Sequence, residues 1–174
     1  LYDHSSSIDI SGCMNTKFYL GPIKGKLTIS DCKDCEIAVP CGQLLCTKVQ
    51  NTKIYLFCAT NPNIEHSNHL VFAPYNFNYP QLAEHTEKVA FNKFENCWNA
   101  VSDLTADDKL GAKSYSFLNP NEFKYNHELP PVFPIDYEIS PFSESKPPQT
   151  IFKHDTEFDG LRIVKIANIN IKEA

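Results

Sequence analysis

Apolar residues in the first half of the chain come in short alternating runs, and the runs align with one another. Ile8–Leu20 reads IDISGCMNTKFYL, Leu27–Val39 reads LTISDCKDCEIAV, Leu45–Leu56 reads LCTKVQNTKIYL and Pro62–Pro74 reads PNIEHSNHLVFAP. Set under one another they share four columns: Ile10, Ile29, Cys46 and Ile64; Cys13, Cys32, Val49 and Ser67; Phe18, Ile37, Ile54 and Phe72; Leu20, Val39, Leu56 and Pro74. Steps within the first column are 19, 17 and 18 residues. Alternation with period two is strand spacing, because successive side chains of a strand point to opposite faces. A repeat of about 18 residues made of such strands predicts a coiled sheet. Each turn of chain lies on the one before at the ~4.8 Å inter-strand spacing, and same-column residues stack inside. An antiparallel sandwich fits less well, since the columns keep register and nothing of helix length interrupts residues 8–74. Gly21, Gly25, Pro40 and Gly42 are expected between strands, where the coil must bend.

Past Pro74 the pattern changes. Tyr79–Pro80 opens PQLAEHTEKVAF, which predicts a short helix with proline in its first turn and Leu82, His85 and Val89 on one face. A second short helix is expected to include Trp98, Val101 and Leu104, followed by loop over 105–125. Residues 126–150 hold six of the 12 prolines and read as extended, non-helical chain. Residues 151–174 regain strand character around Asp159–Gly160, a hairpin signal. This tail is expected to add a strand to the domain edge or to a partner. The expected organisation is therefore a coil with C-terminal helices over 1–123, a Pro-rich segment over 124–150 and a strand-like tail over 151–174. The chain opens at Leu1 within strand-like sequence and reads as an ordered piece of a longer protein.

Composition narrows the function classes. The 174 residues are 42% hydrophobic and 21% charged, ordinary for one globular domain. No apolar run approaches the ~20 residues of a membrane span. A net charge of −5 argues against wholesale nucleic-acid binding and against an anionic membrane. Of the 16 basic residues only Arg162 is arginine. Seven cysteines, an odd count, point to reduced thiols packed as small hydrophobes. Cys32-x-x-Cys35 with Cys41 and Cys46 invites a zinc reading, but their ladder positions favour core packing. His66-x-x-His69 on a strand puts the two imidazoles on opposite faces. Asp107–Asp108 reads as a solvated loop, and no Walker-type glycine loop is present. The residues themselves point to no catalytic centre, cofactor or metal.

Several motifs together identify a family. LGPIKG (Leu20–Gly25), DCKDC (Asp31–Cys35), CGQL (Cys41–Leu44), ATNPNIEHS (Ala59–Ser67), FAPY (Phe72–Tyr75), Tyr79–Pro80 and NCWNAVSD (Asn96–Asp103) resemble the tubulin-folding cofactor C domain over roughly residues 2–123. YDHS (Tyr2–Ser5) is most similar to the family's ciliary branch. Glu122–Phe123 is similar to a centrosomal branch. The resemblance implies an all-β, right-handed parallel β-helix with short C-terminal helices, and at least one further rung before Leu1. It implies a relation to a domain of cyclase-associated actin-binding proteins.

Active members of the family stimulate GTP hydrolysis on Arl-type small GTPases or on tubulin by inserting an arginine. A guanidinium neutralises charge on the transferring phosphoryl group and is worth about 10³–10⁵ in rate. Lysine does not copy its planar fork. The motif there is Gln, an apolar residue, then the catalytic Arg, often with a basic residue two positions on. Here Gln43 and Leu44 match, Leu45 occupies the catalytic position and Thr47 the later basic one. Lys48 is expected on the opposite face from Thr47. Glu65 matches an acidic residue that contacts the GTPase. The expectation is a non-enzymatic adaptor or scaffold of the microtubule cytoskeleton, at a cilium, basal body or centrosome, with Gln43, Leu45, Thr47 and Glu65 as partner-binding residues. Expected partners are tubulin or microtubule-associated and ciliary proteins. The alternative is a binding partner, effector or GTPase-activating regulator of an Arl-type small GTPase or of tubulin.

Overall fold

A computed structural model describes residues 1–92, 94–105 and 114–124. The prolines of 126–150, the 151–174 tail with Asp159–Gly160 and Arg162, and Asp107–Asp108 lie outside the described residues.

Nine strands follow one another: β1 (Ile8–Ser11), β2 (Lys17–Tyr19), β3 (Ile23–Ser30), β4 (Glu36–Thr47), β5 (Lys53–Cys58), β6 (Asn63–Glu65), β7 (Leu70–Pro74), β8 (Ser102–Asp103) and β9 (Tyr115–Phe117). A helix, α1 (Leu82–Lys88), separates β7 from β8. Every strand pairing is parallel. The result is the coil that the columns predict and the parallel β-helix that the resemblance implies. One side of the coil stacks β1, β3, the second half of β4, β6 and β8. Another stacks β2, the first half of β4, β5, β7 and β9. A short third side is held by the single bridges Met14–Lys33, Lys33–Gln50 and Gln50–Asn68.

The sequence columns are the stacking registers. Ile10 opposes Ile29, Ile29 opposes Cys46 and Cys46 opposes Ile64. Phe18 opposes Ile37, Ile37 opposes Ile54 and Ile54 opposes Phe72. These side chains form one continuous buried core inside the coil, with the half-buried Phe18 packed against its end. Burying each contributes on the order of 1.5–3 kcal/mol relative to exposure.

Two corners flank the short side, and both are built from left-handed residues. Gly12, Asp31, Lys48 and His66 form one stack at φ +64, +51, +55 and +48. Asn15, Asp34, Asn51 and His69 form the other at φ +52, +55, +44 and +53. Short polar side chains tolerate this region best, which accounts for the Asn and Asp. At three levels of each corner a side chain donates to the carbonyl two residues before it. Cys13, Cys32 and Ser67 donate to Ser11, Ser30 and Glu65 at 3.4, 3.2 and 2.9 Å. Thr16, Cys35 and Thr52 donate to Met14, Lys33 and Gln50 at 2.9, 3.3 and 2.9 Å. The Cys-x-x-Cys spacing is thus the distance between corners. The thiols fill the core and also donate to it.

The third corner corrects an expectation. Gly25, Pro40 and Gly42 do not lie between strands; β3 and β4 run through the bend. Glycine is needed there at Gly25 and Gly42. Their role is close approach. A Cβ on Gly42 would collide with the Lys24 carbonyl oxygen, and one on Gly25 would sit 2.7 Å from that of Ser6.

A second core covers the outside of the β5–β7 side, where Tyr55, Phe57, Ala73, Tyr75 and Phe77 pack with Leu82 of α1. The predicted helix and its buried face of Leu82, His85 and Val89 are present. The predicted second helix is not. Trp98, Val101 and Leu104 sit in turns around β8. Ser102 N–H donates to Pro62 O and Leu104 N–H to Ile64 O, each at 2.8 Å, which adds a rung beside β6. A helix there would leave the edge of β6 unpaired. Likewise 105–125 is not all loop. β9 extends the β7 edge, and a 3₁₀ turn spans Pro120–Glu122.

Candidate functional site

Alternation along the second half of β4 sends Leu44 and Cys46 into the core and Gln43, Leu45 and Thr47 outward. Register then places Glu65 of β6 directly beside Thr47. The structure therefore brings all four residues singled out from the sequence onto one side of the coil. Leu45 lies between Thr28 of β3 and Asn63 of β6, and Thr47 between Ser30 and Glu65. Ser102 of β8 continues the row past Asn63. Thr28, Ser30, Asn63 and Ser102 were not marked in the sequence, although the 17–18-residue offset from Leu45 and Thr47 points to Thr28, Ser30, Asn63 and Glu65.

Leu45 is half-buried rather than exposed, because its neighbours in the row shield its flanks. Gln43 stands at the exposed end, paired in register with Lys26. Glu65 Oε1 lies 3.9 Å from His66 Nε2, and His66 N–H donates to Thr105 Oγ1 at 2.8 Å. Lys48 departs from its expected position. β4 ends at Thr47, so Lys48 is a left-handed corner residue whose exposed side chain leaves the coil beside this row. Its N–H donates to Glu65 O at 3.0 Å. The row is polar, charged only at Glu65, Lys26 and Asp9, the register partner of Thr28, with one apolar side chain at its centre. No arginine stands anywhere in residues 1–161.

The other sequence candidates resolve differently. All seven cysteines are free thiols, and Cys32 and Cys35 face corner carbonyls. His66 and His69 belong to different corners, both exposed. A groove of about 350 Å³ follows the second corner past Asn15, Asp34, Asn51 and His69, away from Leu45. Among the described residues no helix is long and apolar enough to cross a membrane.

Comparison with known proteins agrees with this architecture. A solved structure of tubulin binding cofactor C from Leishmania major superposes with a TM-score of 0.62 at 25% identity, over 72% of this chain and 86% of that one. The chain is 29% identical over 104 residues to tubulin-specific chaperone C of Homo sapiens. It is 25% identical over 134 residues to TBCC domain-containing protein 1 of Mus musculus. These alignments cover 60% and 76% of the chain, but only 30% and 23% of the relatives. The family model for tubulin binding cofactor C matches residues 1–104, the span from the N-terminal rung through β8. By that match and by its coil, the chain belongs to the tubulin binding cofactor C (TBCC) family.

Proposed function

We propose that this chain is a non-enzymatic binding module, an adaptor or scaffold of the microtubule cytoskeleton that has lost the family's arginine finger. The observation that carries the reading is Leu45 at the centre of the outward row, between Thr28 and Asn63, where the motif begun by Gln43 and Leu44 calls for arginine. A leucine supplies no positive charge to a phosphoryl group, and Thr47 supplies none either. What it does supply is an apolar centre ringed by polar groups, the arrangement that anchors a protein interface. The partners this supports are tubulin or microtubule-associated and ciliary proteins. The corresponding location is the cytoplasm and cytoskeleton, at a cilium or basal body.

Gln43 and Glu65 on the same face favour a second reading, in which an Arl-type GTPase docks here without being activated. Single-turnover GTP hydrolysis on an Arl-type GTPase and on tubulin, with co-sedimentation on microtubules, tests both. The adaptor reading predicts microtubule or tubulin binding that Leu45→Asp removes, with unchanged hydrolysis rates. Acceleration beyond roughly tenfold would refute it. GTP-dependent GTPase binding without tubulin binding would select the second reading.

A further inference from the structure

Residues 1–6 lie on the rung formed by β2 and β3. Gly21 N–H donates to Leu1 O at 2.8 Å, Lys24 N–H to Ser5 O at 2.8 Å and Gly25 N–H to Ser6 O at 2.9 Å. The Tyr2 ring stacks on Phe77 at 5.5 Å and lies 5.1 Å from Tyr79. This segment carries Asp3 and His4 against α1, where His85 projects from the buried face. His85 Nδ1 is 3.0 Å from the Tyr79 hydroxyl, which leaves Nε2 facing outward, 3.7 Å from Asp3 Oδ1. His4 Nδ1 is 2.8 Å from the same oxygen, and the two imidazole centroids are 5.7 Å apart. One ligand atom from each of the three residues lies within 4.8 Å of the others, and among the described residues no other such cluster occurs.

We propose that Asp3, His4 and His85 form a binding site for a divalent transition-metal ion of the zinc type, with the fourth position open to water. Two imidazoles and a carboxylate are the borderline donors such an ion takes. Calcium and magnesium prefer all-oxygen sets. Tetrahedral coordination at ~2.0–2.1 Å places ligand atoms about 3.4 Å apart. The Asp3–His85 separation of 3.7 Å is close to that, whereas the exposed His4 ring, 2.8 Å from Asp3 Oδ1, would give up that contact to reach the ion while the His4 backbone N–H still donates to the Asp3 carboxylate at 2.7 Å. Tyr79 supplies the outer hydrogen bond that ligating histidines take on their second nitrogen. With the metal on Nε2, His85 Nδ1–H donates to the Tyr79 oxygen. The ion would clamp residues 1–6 to α1 and so close the end of the second core. No cysteine belongs to this cluster.

The test is titration of the reduced, metal-free 174-residue chain with zinc by calorimetry and thermal melting, and with cobalt(II) by absorption. One ion should bind and raise the melting temperature. The cobalt spectrum should show visible d–d bands without intense thiolate charge transfer in the near ultraviolet. His4→Gln and Asp3→Asn, both exposed and without burden on the core, should each lower affinity roughly tenfold or more while metal-free melting stays unchanged. His85→Gln should do the same to affinity. Absence of binding at micromolar zinc, a thiolate band, or unaltered affinity in His4→Gln would each overturn the proposal.

Discussion

Leu45 of β4 and Asn63 of β6 are register partners on adjacent rungs, and two residues further on Thr47 meets Glu65 in the same way. This geometry separates the loss of an arginine from the loss of a docking face. Leu45→Arg places a guanidinium at the centre of an intact row. Its half-buried, outward position keeps the stability change within about 0.5–1 kcal/mol. If the face still docks a nucleotide-bound GTPase, single-turnover hydrolysis should rise at least tenfold over the parent chain, part of the 10³–10⁵ that such a finger supplies. Pairing it with Thr47→Arg should add a smaller gain. An unchanged rate in the double variant would show that the surroundings of Leu45 have diverged along with the finger.

Gly42 and Gly12 separate two reasons for glycine. Gly42 faces the Lys24 and Gly25 carbonyl oxygens, the latter 3.0 Å from a Cβ placed there, so Gly42→Ala forces two rungs apart. Gly12 has open space around it but φ +64. Gly42→Ala should lower unfolding free energy by about 1–3 kcal/mol, the overpacking range. Gly12→Ala should cost about 1 kcal/mol, the left-handed strain, and Gly12→Asn less. Urea midpoints compared at constant m-value measure both.

The part of this fold readable from sequence is the part where a repeated position has a single physical demand. Ile10, Ile29, Cys46 and Ile64 must be apolar because each stacks on the next, so their spacing exposes the register directly. Gln43, Leu45, Thr47 and Glu65 were marked by the family resemblance, and the same alternation read on its other face accounts for their sharing one side of the coil. Trp98, Val101 and Leu104 carried no such constraint. Their spacing of three suits a helix, whereas β8 consists of only Ser102 and Asp103, too short for any period to show. β5 is buried on both faces because the second core covers its outside, so Tyr55 and Phe57 break the alternation seen elsewhere. The Asp3–His4–His85 cluster was hidden for a different reason. It joins residues 1–6 to α1 through a contact with no local sequence signature.

Asp34 and Asn51 stack at consecutive levels of the second corner, both left-handed, with the Asn51 amide donating to the Asp34 carboxylate. Asp34→Ala removes that hydrogen bond and places a Cβ-bearing apolar residue at φ +55. The expected loss is about 1–2 kcal/mol. Asp34→Asn should stay near the parent, since asparagine tolerates the same conformation. Asp9→Ala, on an exposed strand position, should change stability by less than about 0.5 kcal/mol. Equal destabilisation by the Ala and Asn variants of Asp34 would refute the corner argument.

Alkaline pH should weaken the coil from its interior outward. Burial pushes the Cys41 and Cys46 thiols well up from their ordinary value of 9.0, so both stay protonated in the folded chain. Burial likewise pushes the Tyr2 and Tyr55 phenols up to about 12 from 10.0, with Tyr19 adding to the shift at Tyr2 and Glu36 at Tyr55. Each folded pKa lies above its unfolded counterpart, so the unfolded chain releases these protons first. Stability from the thiols is therefore fully present below pH 9 and declines above it. Stability from the phenols is present below pH 10 and is lost as pH rises through about 12. Urea midpoints should fall continuously from pH 9 upward, with tyrosinate absorbance appearing together with unfolding. Cys46→Val keeps an apolar side chain between Ile29 and Ile64 and removes one titrating thiol. It should delay the first part of the decline and leave the tyrosine-linked part in place. A midpoint independent of pH between 9 and 11 would mean that these thiols meet water in the folded state.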